Sequence, residues 1–236
     1  MGALPNLIVI GAMKCGTTAL HRYLGMHPEV FMSSPKELSF FFGPEGASGG
    51  GWHRGNWHRG VRWYASRFDP GASVRGESSP GYTSPDHPEA AGRMARLLPG
   101  ARLVYLVRDP VERAVSQYLH HRAEGTERRG MREALLEPEG HYLRRSRYLT
   151  LLSPYLERFP RRNILILSQE ELLERRREAL RRVFRFAGVD DAFWTPEYEI
   201  PPPRRAAPRC DPGLRREFLA ALREDLPRRF AARPCG

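Results

Sequence analysis

Cysteine is scarce in this chain, which has 3 among 236 residues. Cys15, Cys210 and Cys235 lie far apart and form neither a C-x-x-C pair nor a metal-ligand spacing, so the sequence encodes no disulfide framework and no zinc site. No apolar run approaches the length of a membrane span, and the first predicted strand starts so early that we expect no signal peptide. These absences predict a reduced, cytoplasmic protein without a membrane span or a bound metal.

Acidic residues are in the minority. Lys and Arg number 38 against 27 Asp and Glu, which gives a formal net charge of +11. This surplus favours anionic partners such as a phosphorylated nucleotide, an acidic acceptor or nucleic acid. A nucleic-acid-binding module explains the charge, but no zinc-finger, RRM or KH signature accompanies it, so we expect no nucleic-acid partner. Hydrophobic residues make up 41% of the chain, enough for a single domain over residues 1–236 to bury a core.

The most informative segment is a glycine-flanked lysine between a predicted strand and a predicted helix. An apolar run over residues 7–10 leads into G-A-M-K-C-G-T-T over residues 11–18, and a helical pattern follows over 17–25. Unpaired N–H groups and the helix dipole converge at such a turn and make it an anion site. We therefore predict a nucleotide-phosphate site made of Lys14, Cys15, Gly16, Thr17 and Thr18. A tight turn with a solvated lysine is the simpler alternative.

The order of residues in this turn is not that of a Walker A loop. Lys14 precedes Gly16, whereas the Walker lysine follows the second glycine. A P-loop kinase would explain the turn, but the chain shows no convincing Walker B aspartate or magnesium-binding set. The helix N-terminus would lower the pKa of Cys15, yet a small residue that fills the loop is a simpler interpretation than a catalytic thiol.

A second phosphate site is predicted after another strand. The apolar run 103–107 ends in Arg108-Asp109-Pro110, and the segment 110–123 reads as a helix with Pro110 in its first turn. Arg108 and Ser116 stand two helical turns apart and are able to hold one phosphate from two sides. Two separate phosphate sites fit a nucleotide that is phosphorylated at both ends.

Both motifs resemble those of sulfotransferases that use 3′-phosphoadenosine 5′-phosphosulfate (PAPS). G-x-x-K-x-G-T-T is similar to their 5′-phosphosulfate loop, and R-D-P-x-x-R-A-x-S-x-Y from Arg108 to Tyr118 is similar to their 3′-phosphate site. Further landmarks of the branch that includes the heparan sulfate sulfotransferases follow in family order: E-x-x-F-F at 37–41, W-Y-x-x-x-F at 63–68 and E-x-[ST]-P-x-Y at 77–82. The animal relatives are anchored in the Golgi membrane, and this chain resembles an unanchored, bacterial member.

The resemblance implies an enzyme that moves the sulfuryl group of PAPS in line to a hydroxyl or amine and releases 3′,5′-ADP. Lys14 would neutralise the charge that builds on the bridging oxygen. Glu37 matches the family's catalytic glutamate and is the predicted base, with a surface or capping carboxylate as the alternative. Glu77 is either a rival base that contacts the acceptor or a residue that orients a neighbour. Relatives that act on heparan sulfate usually have a lysine where this chain has Ser78, so a small-molecule, lipid or glycan acceptor remains open.

Two segments read as irregular. Residues 43–62 are rich in glycine and predict a mobile loop that closes over the acceptor, or an insertion without a role; its candidate contacts are Trp52, His53, Trp57 and His58. Residues 196–212 contain a proline run and predict an irregular segment near the cofactor or the substrate. At least one of His120 and His121 is expected to face the cleft.

Strands and helices alternate along the chain. The apolar patterns predict strands near 7–10, 103–107 and 163–167, with helices over 17–25, 110–123, 146–158, 170–187 and 212–224. This alternation predicts an α/β fold, a P-loop-like domain whose central parallel sheet has helices on both faces and its ligand at the carboxyl ends of the strands.

Overall fold

A computed structural model of the chain describes residues 3–43, 55–200 and 210–225. These residues form a five-stranded sheet in the order β2-β3-β1-β4-β5, in which every strand pair is parallel. The strands are β1 (Leu7–Gly11), β2 (Val30–Met32), β3 (Val74–Ser78), β4 (Arg102–Val107) and β5 (Ile164–Ser168). The predicted α/β class with a central parallel sheet is confirmed.

The helices of the described residues connect and cover these strands. They are α1 (Thr17–Leu24), α2 (Gly60–Ala65), α3 (Glu89–Leu97), α4 (Pro110–Ala123), α5 (Met131–Leu136), α6 (His141–Arg144), α7 (Tyr148–Leu156), α8 (Gln169–Glu174), α9 (Arg176–Ala187) and α10 (Pro212–Ala221). All five residues of β1 and five of the six in β4 are buried. Because successive side chains of a strand point to opposite faces, the sheet is covered on both faces, as its continuous apolar strands predict.

A second cluster of buried apolar residues lies beside the main core. It is formed by α4, α5, α6 and α10, with members such as Val115, Leu135, Leu143 and Phe218. Other residues of α4 line the cavity that is described below. The apolar cluster therefore packs against the face of α4 that is turned away from that cavity.

The described structure corrects two predicted elements. The single helix expected over 170–187 is two helices, because Arg175 leaves helical geometry (φ −128°, ψ 50°) between α8 and α9. The loop expected over 43–62 is helical in its later part, with a 3-10 turn at Trp57–Arg59 followed by α2. Residues 44–54, which include Trp52 and His53, and residues 201–209 of the expected irregular segment lie outside the described residues.

The strand order reverses between β1 and β4. The chain leaves β1 for β2 and β3 on one side, whereas β4 leads to β5 on the other. Ligands of open parallel sheets bind in the crevice at such a switch point, outside the carboxyl ends of the strands. Both predicted phosphate motifs follow the carboxyl ends of these two strands.

Candidate active site

A cavity of about 1560 Å³ opens at the carboxyl edge of the sheet. Its wall contains residues from both predicted phosphate sites, Lys14, Gly16, Thr17, Thr18, Arg108 and Ser116, together with Glu37. Six of these residues come from the ends of β1 and β4 or from the helices that follow, whereas Glu37 comes from the segment after β2. The predicted donors and the predicted base therefore line one space.

The loop after β1 leads directly into α1 at the cavity wall. Gly16 is the N-cap of α1 and adopts a left-handed conformation (φ 92°), which a side chain would strain. No side chain among the described residues caps α1, so the first-turn N–H groups and the helix dipole face the cavity. The Ala12 N–H donates to the Leu106 carbonyl at 2.7 Å and ties the loop to β4.

Cys15 is buried under this loop and does not reach the cavity. Its Sγ lies 3.5 Å from Tyr148 Oη, and burial raises the pKa of the thiol to about 11. The cost of burying a thiolate therefore outweighs the expected influence of the helix N-terminus. Cys15 fills the loop, and its side chain is not among those that line the cavity.

Arg108 stands at the junction of β4 and α4. Asp109 caps α4, with Oδ1 accepting from the N–H groups of Val111 and Glu112 at 3.0 Å. Arg108 Nη2 donates to Glu112 Oε2 at 2.7 Å, so the guanidinium is held at the cavity wall by a neighbouring carboxylate. Ser116 follows Glu112 by four residues and shares its face of the helix. The helix thus presents the two predicted phosphate ligands to one space.

Glu37 lies in a segment with unusual backbone geometry. Glu37 has φ 56° and Ser39 has φ 48°, and both line the cavity. The Lys36 ammonium lies 2.5 Å from Glu37 Oε1, while the Glu37 side chain stays 54% exposed. The carboxylate is therefore accessible from the same space as Lys14.

Glu77 is placed elsewhere, and the structure corrects its predicted role as an acceptor contact or rival base. Its carboxylate is fully buried and accepts hydrogen bonds from the hydroxyls of Tyr64, Tyr82 and Ser79. Burial raises the pKa of Glu77, and the three hydroxyl donors oppose that rise. With its oxygens enclosed in this way, Glu77 has no surface that an acceptor can reach.

The two described aromatic candidates of the predicted loop also lie away from the cavity wall. The Trp57 ring packs against Phe40 with centroids 5.2 Å apart, and the Arg93 guanidinium lies 4.7 Å from the Trp57 ring centre. His58 is exposed. Trp57 thus packs against the core, and neither residue is among those that line this cavity.

The cavity wall also contains residues that the motifs did not indicate. His120 and His121 both line it, joined by Gln117, His141 and Arg145. His121 Nδ1 lies 3.0 Å from Tyr142 Oη. Burial lowers the pKa of His141 to about 4 and also lowers that of His121. Within the described ranges, Gln117 Nε2 and His141 Nε2 are buried without a hydrogen-bond partner, which marks a polar end of the cavity. The histidine pair was visible in the sequence, whereas His141 and Arg145 follow no motif.

Comparison with known proteins identifies the family to which the chain belongs. The family model described as "Sulfotransferase domain" matches residues 4–193. The membrane-associated sulfotransferase kil1 of Dictyostelium discoideum is 40% identical over 120 residues, which cover 49% of this chain and 22% of that protein. The bifunctional heparan sulfate N-deacetylase/N-sulfotransferase 2 of Bos taurus is 29% identical over 206 residues, covering 79% of this chain and 22% of that protein. The chain thus spans about a fifth of the length of these curated relatives.

A solved structure matches nearly the whole chain. The crystal structure of a sulfotransferase from Alicyclobacillus acidocaldarius has a TM-score of 0.78 and 31% identity, and the match covers 94% of this chain and 93% of that one. In the part of the chain that the structure describes, no helix combines the length and the apolar character needed to cross a bilayer. The chain belongs to the sulfotransferase family, in the branch that includes the heparan sulfate N-sulfotransferases.

Proposed function

We propose that this enzyme transfers the sulfuryl group of PAPS in line to a hydroxyl or amine of an acceptor and releases 3′,5′-ADP. The observation that supports this most is the shared cavity, whose wall combines Lys14, the Arg108 and Ser116 pair, and Glu37. Its residues fit a donor phosphorylated at both ends, because an uncapped helix N-terminus follows β1 and a second cationic site follows β4. PAPS supplies an activated sulfuryl group when it is bound.

The protein contributes charge and position. Lys14 and the first-turn N–H groups of α1 hold the 5′-phosphate and neutralise charge at the bridging oxygen. Arg108 and Ser116 hold the 3′-phosphate, and Arg108 turns from Glu112 to do so. By analogy with phosphoryl transfer, most of the rate enhancement then comes from positioning and electrostatics.

Glu37 is the proposed general base. Its half-exposed carboxylate is within reach of an acceptor, and the Lys36 ammonium engages Oε1, so we assign Oε2 to the acceptor proton. The curated relatives are named for N-sulfation of heparan sulfate, which makes an amine on a glycan one candidate. The acceptor is a small molecule, a lipid or a glycan, and the polar end of the cavity near His141 favours a hydrogen-bonding group on it.

Ligand-dependent melting tests this function. A ligand that binds only the folded state must raise the melting temperature. We expect 3′,5′-ADP to raise it by several degrees, 5′-ADP to raise it less, and Mg-ATP or duplex DNA to leave it nearly unchanged. A larger shift with Mg-ATP than with 3′,5′-ADP would replace the proposal with a kinase, and a shift with DNA alone would replace it with a nucleic-acid-binding role.

A further inference from the structure

We propose that Glu77, buried behind the cavity wall, is a positioning residue that fixes the backbone of residues 37–40 and thereby aims the Glu37 carboxylate. This inference rests on the proposed role of Glu37 as the base. It assigns to Glu77 an indirect role, because the carboxylate is enclosed and has no route to an acceptor.

Two hydroxyl groups around Glu77 connect it to the Glu37 segment. Tyr82 Oη donates to Glu77 Oε1 at 2.7 Å and accepts from the Phe40 N–H at 2.9 Å. Ser79 Oγ donates to Glu77 Oε2 at 2.9 Å and accepts from the Ser39 N–H at 3.0 Å. A backbone N–H can only donate, so each hydroxyl must direct its own proton elsewhere, and Glu77 receives both protons. The Glu77 carboxylate therefore orients the hydroxyl oxygens of Ser79 and Tyr82, which accept hydrogen bonds from the two consecutive amides of Ser39 and Phe40.

The segment is also held by a ring contact with Tyr64 and by a backbone hydrogen bond to the end of β3. Tyr64 Oη also donates to Glu77 Oε1, and the Tyr64 ring stacks on Phe40 with centroids 4.1 Å apart and planes within 5°. The Glu37 N–H donates to the carbonyl of Ser78, the residue after Glu77, at 3.1 Å. The Leu38 backbone also hydrogen-bonds to the Glu77 carboxylate, so all four amides of residues 37–40 are held, and each of the groups that accept from them lies within five residues of Glu77 in the chain.

Such a hold is needed because the segment is strained. Glu37 and Ser39 both have positive φ (56° and 48°), which L-residues other than glycine rarely adopt. Residues in such conformations persist only where the surroundings over-determine them. If the anchors weaken, both residues gain access to ordinary backbone conformations, and the Glu37 carboxylate leaves its position at the cavity wall.

Glu77→Gln is the test variant, because it keeps size and shape but replaces one oxygen with an NH₂ donor. One of the hydroxyls then loses its proton acceptor, and the amide it holds is released. In amide hydrogen exchange by NMR, we expect the Ser39 and Phe40 amides of this variant to exchange about tenfold faster or more. The matched control is Glu127→Gln, since Glu127 is also a buried carboxylate that accepts a tyrosine hydroxyl, from Tyr142 at 3.2 Å. It should leave exchange at residues 39 and 40 unchanged.

A double-mutant cycle tests the consequence for chemistry. Turnover is followed as 3′,5′-ADP released from PAPS with water as the acceptor. We expect Glu77→Gln alone to lower turnover by about tenfold or more, and to have almost no further effect in a Glu37→Gln background, because it acts through Glu37. Calorimetric affinity for 3′,5′-ADP should stay within about threefold throughout, since the phosphate sites lie elsewhere. If the two substitutions lowered turnover by independent factors that multiply in the double variant, the inference would be overturned.

The outcomes separate this inference from the proposed function. Failure of the wild type to bind 3′,5′-ADP would remove the function, and unchanged turnover in Glu37→Gln would remove Glu37 as the base, while exchange at residues 39 and 40 would still decide whether Glu77 fixes the segment. Normal exchange and turnover in Glu77→Gln would remove the inference alone. If this variant fails to fold, Tyr82→Phe serves instead, because it keeps the ring and removes the hydroxyl that links Glu77 to the Phe40 amide; faster exchange confined to Phe40 supports the inference, and normal exchange overturns it.

Discussion

Arg108 offers the sharpest test of the two-phosphate arrangement. In the described structure its guanidinium is bonded to Glu112, and under the proposed function a bound 3′-phosphate would replace that partner. A hydrogen bond to a charged group contributes about 1.5–3 kcal/mol. Leaving Glu112 costs only about 0.5 kcal/mol, because the Glu112 side chain is 55% exposed and such pairs are weak. The net contribution is therefore about 1–2.5 kcal/mol.

This difference sets the expected result for Arg108→Ala. Affinity for 3′,5′-ADP should fall by roughly 5- to 70-fold, since each 1.36 kcal/mol is a factor of ten. Affinity for 5′-ADP, which lacks the 3′-phosphate, should change little. The wild type should accordingly prefer 3′,5′-ADP over 5′-ADP by at least about tenfold, and the variant should lose most of that preference.

Isothermal titration calorimetry with both nucleotides measures these constants. Arg162→Ala is the matched control, because Arg162 is exposed just before β5, at the opposite edge of the sheet, and its replacement removes the same charge. Equal wild-type affinities for the two nucleotides would refute the second phosphate site. An equal loss of both affinities in Arg108→Ala would mean that Arg108 supports the fold of the loop and makes no specific contact with the 3′-phosphate.

Three further outcomes are expected. Glu112→Gln removes the competitor for Arg108 and should tighten 3′,5′-ADP binding by about two- to fivefold in calorimetry, whereas weaker binding would show that Glu112 orients the guanidinium. Glu37→Gln should lower turnover by roughly 10²–10⁴ with nucleotide affinity nearly unchanged, and Lys14→Ala should lower both; wild-type turnover in Glu37→Gln would exclude it as the base. Stability should fall as the pH drops from about 6.5 towards 4, because burial lowers the pKa of His21 and of His141 to about 4 and the unfolded chain therefore binds protons first. Calorimetric melting at several pH values should show a smaller fall in a variant with both histidines changed to Asn, and an identical fall would contradict this assignment.

The sheet, and the position of both phosphate motifs at one edge of it, were predictable because their signals are local. The apolar runs of β1 and β4 specify strands buried on both faces, and Gly16 and Pro110 mark how the following helices begin. Parallel strands then place the ends of β1 and β4 at one edge, so Lys14 and Arg108 share a cavity without any further information. Glu37 was identified only through the resemblance, since nothing local distinguishes it from a surface carboxylate.

The surroundings of Glu77 and Trp57 were not predictable, because tertiary contacts decide them. Glu77 is enclosed by hydroxyls from three residues up to 13 positions away, and no spacing rule brings them together. Trp57 follows a glycine-rich run and suggested a lid, yet its ring packs against the buried Phe40 at the edge of the core. The break at Arg175 is similar, because every residue around it favours a helix and only packing reveals the turn.

The two phosphate sites are joined by a shared side chain as well as by the sheet. Tyr148 Oη donates to the Arg108 carbonyl at 2.9 Å and lies 3.5 Å from Cys15 Sγ, so one buried hydroxyl contacts the loop after β1 and the end of β4. The Ala12 N–H bond to Leu106 connects the same two segments through the backbone. Because these contacts fix the separation of the two proposed phosphate sites, we expect a nucleotide with phosphates at both ends to bind without rearrangement of the backbone that carries them. Binding energy that a mobile site would lose to ordering should then be retained as affinity for such a nucleotide.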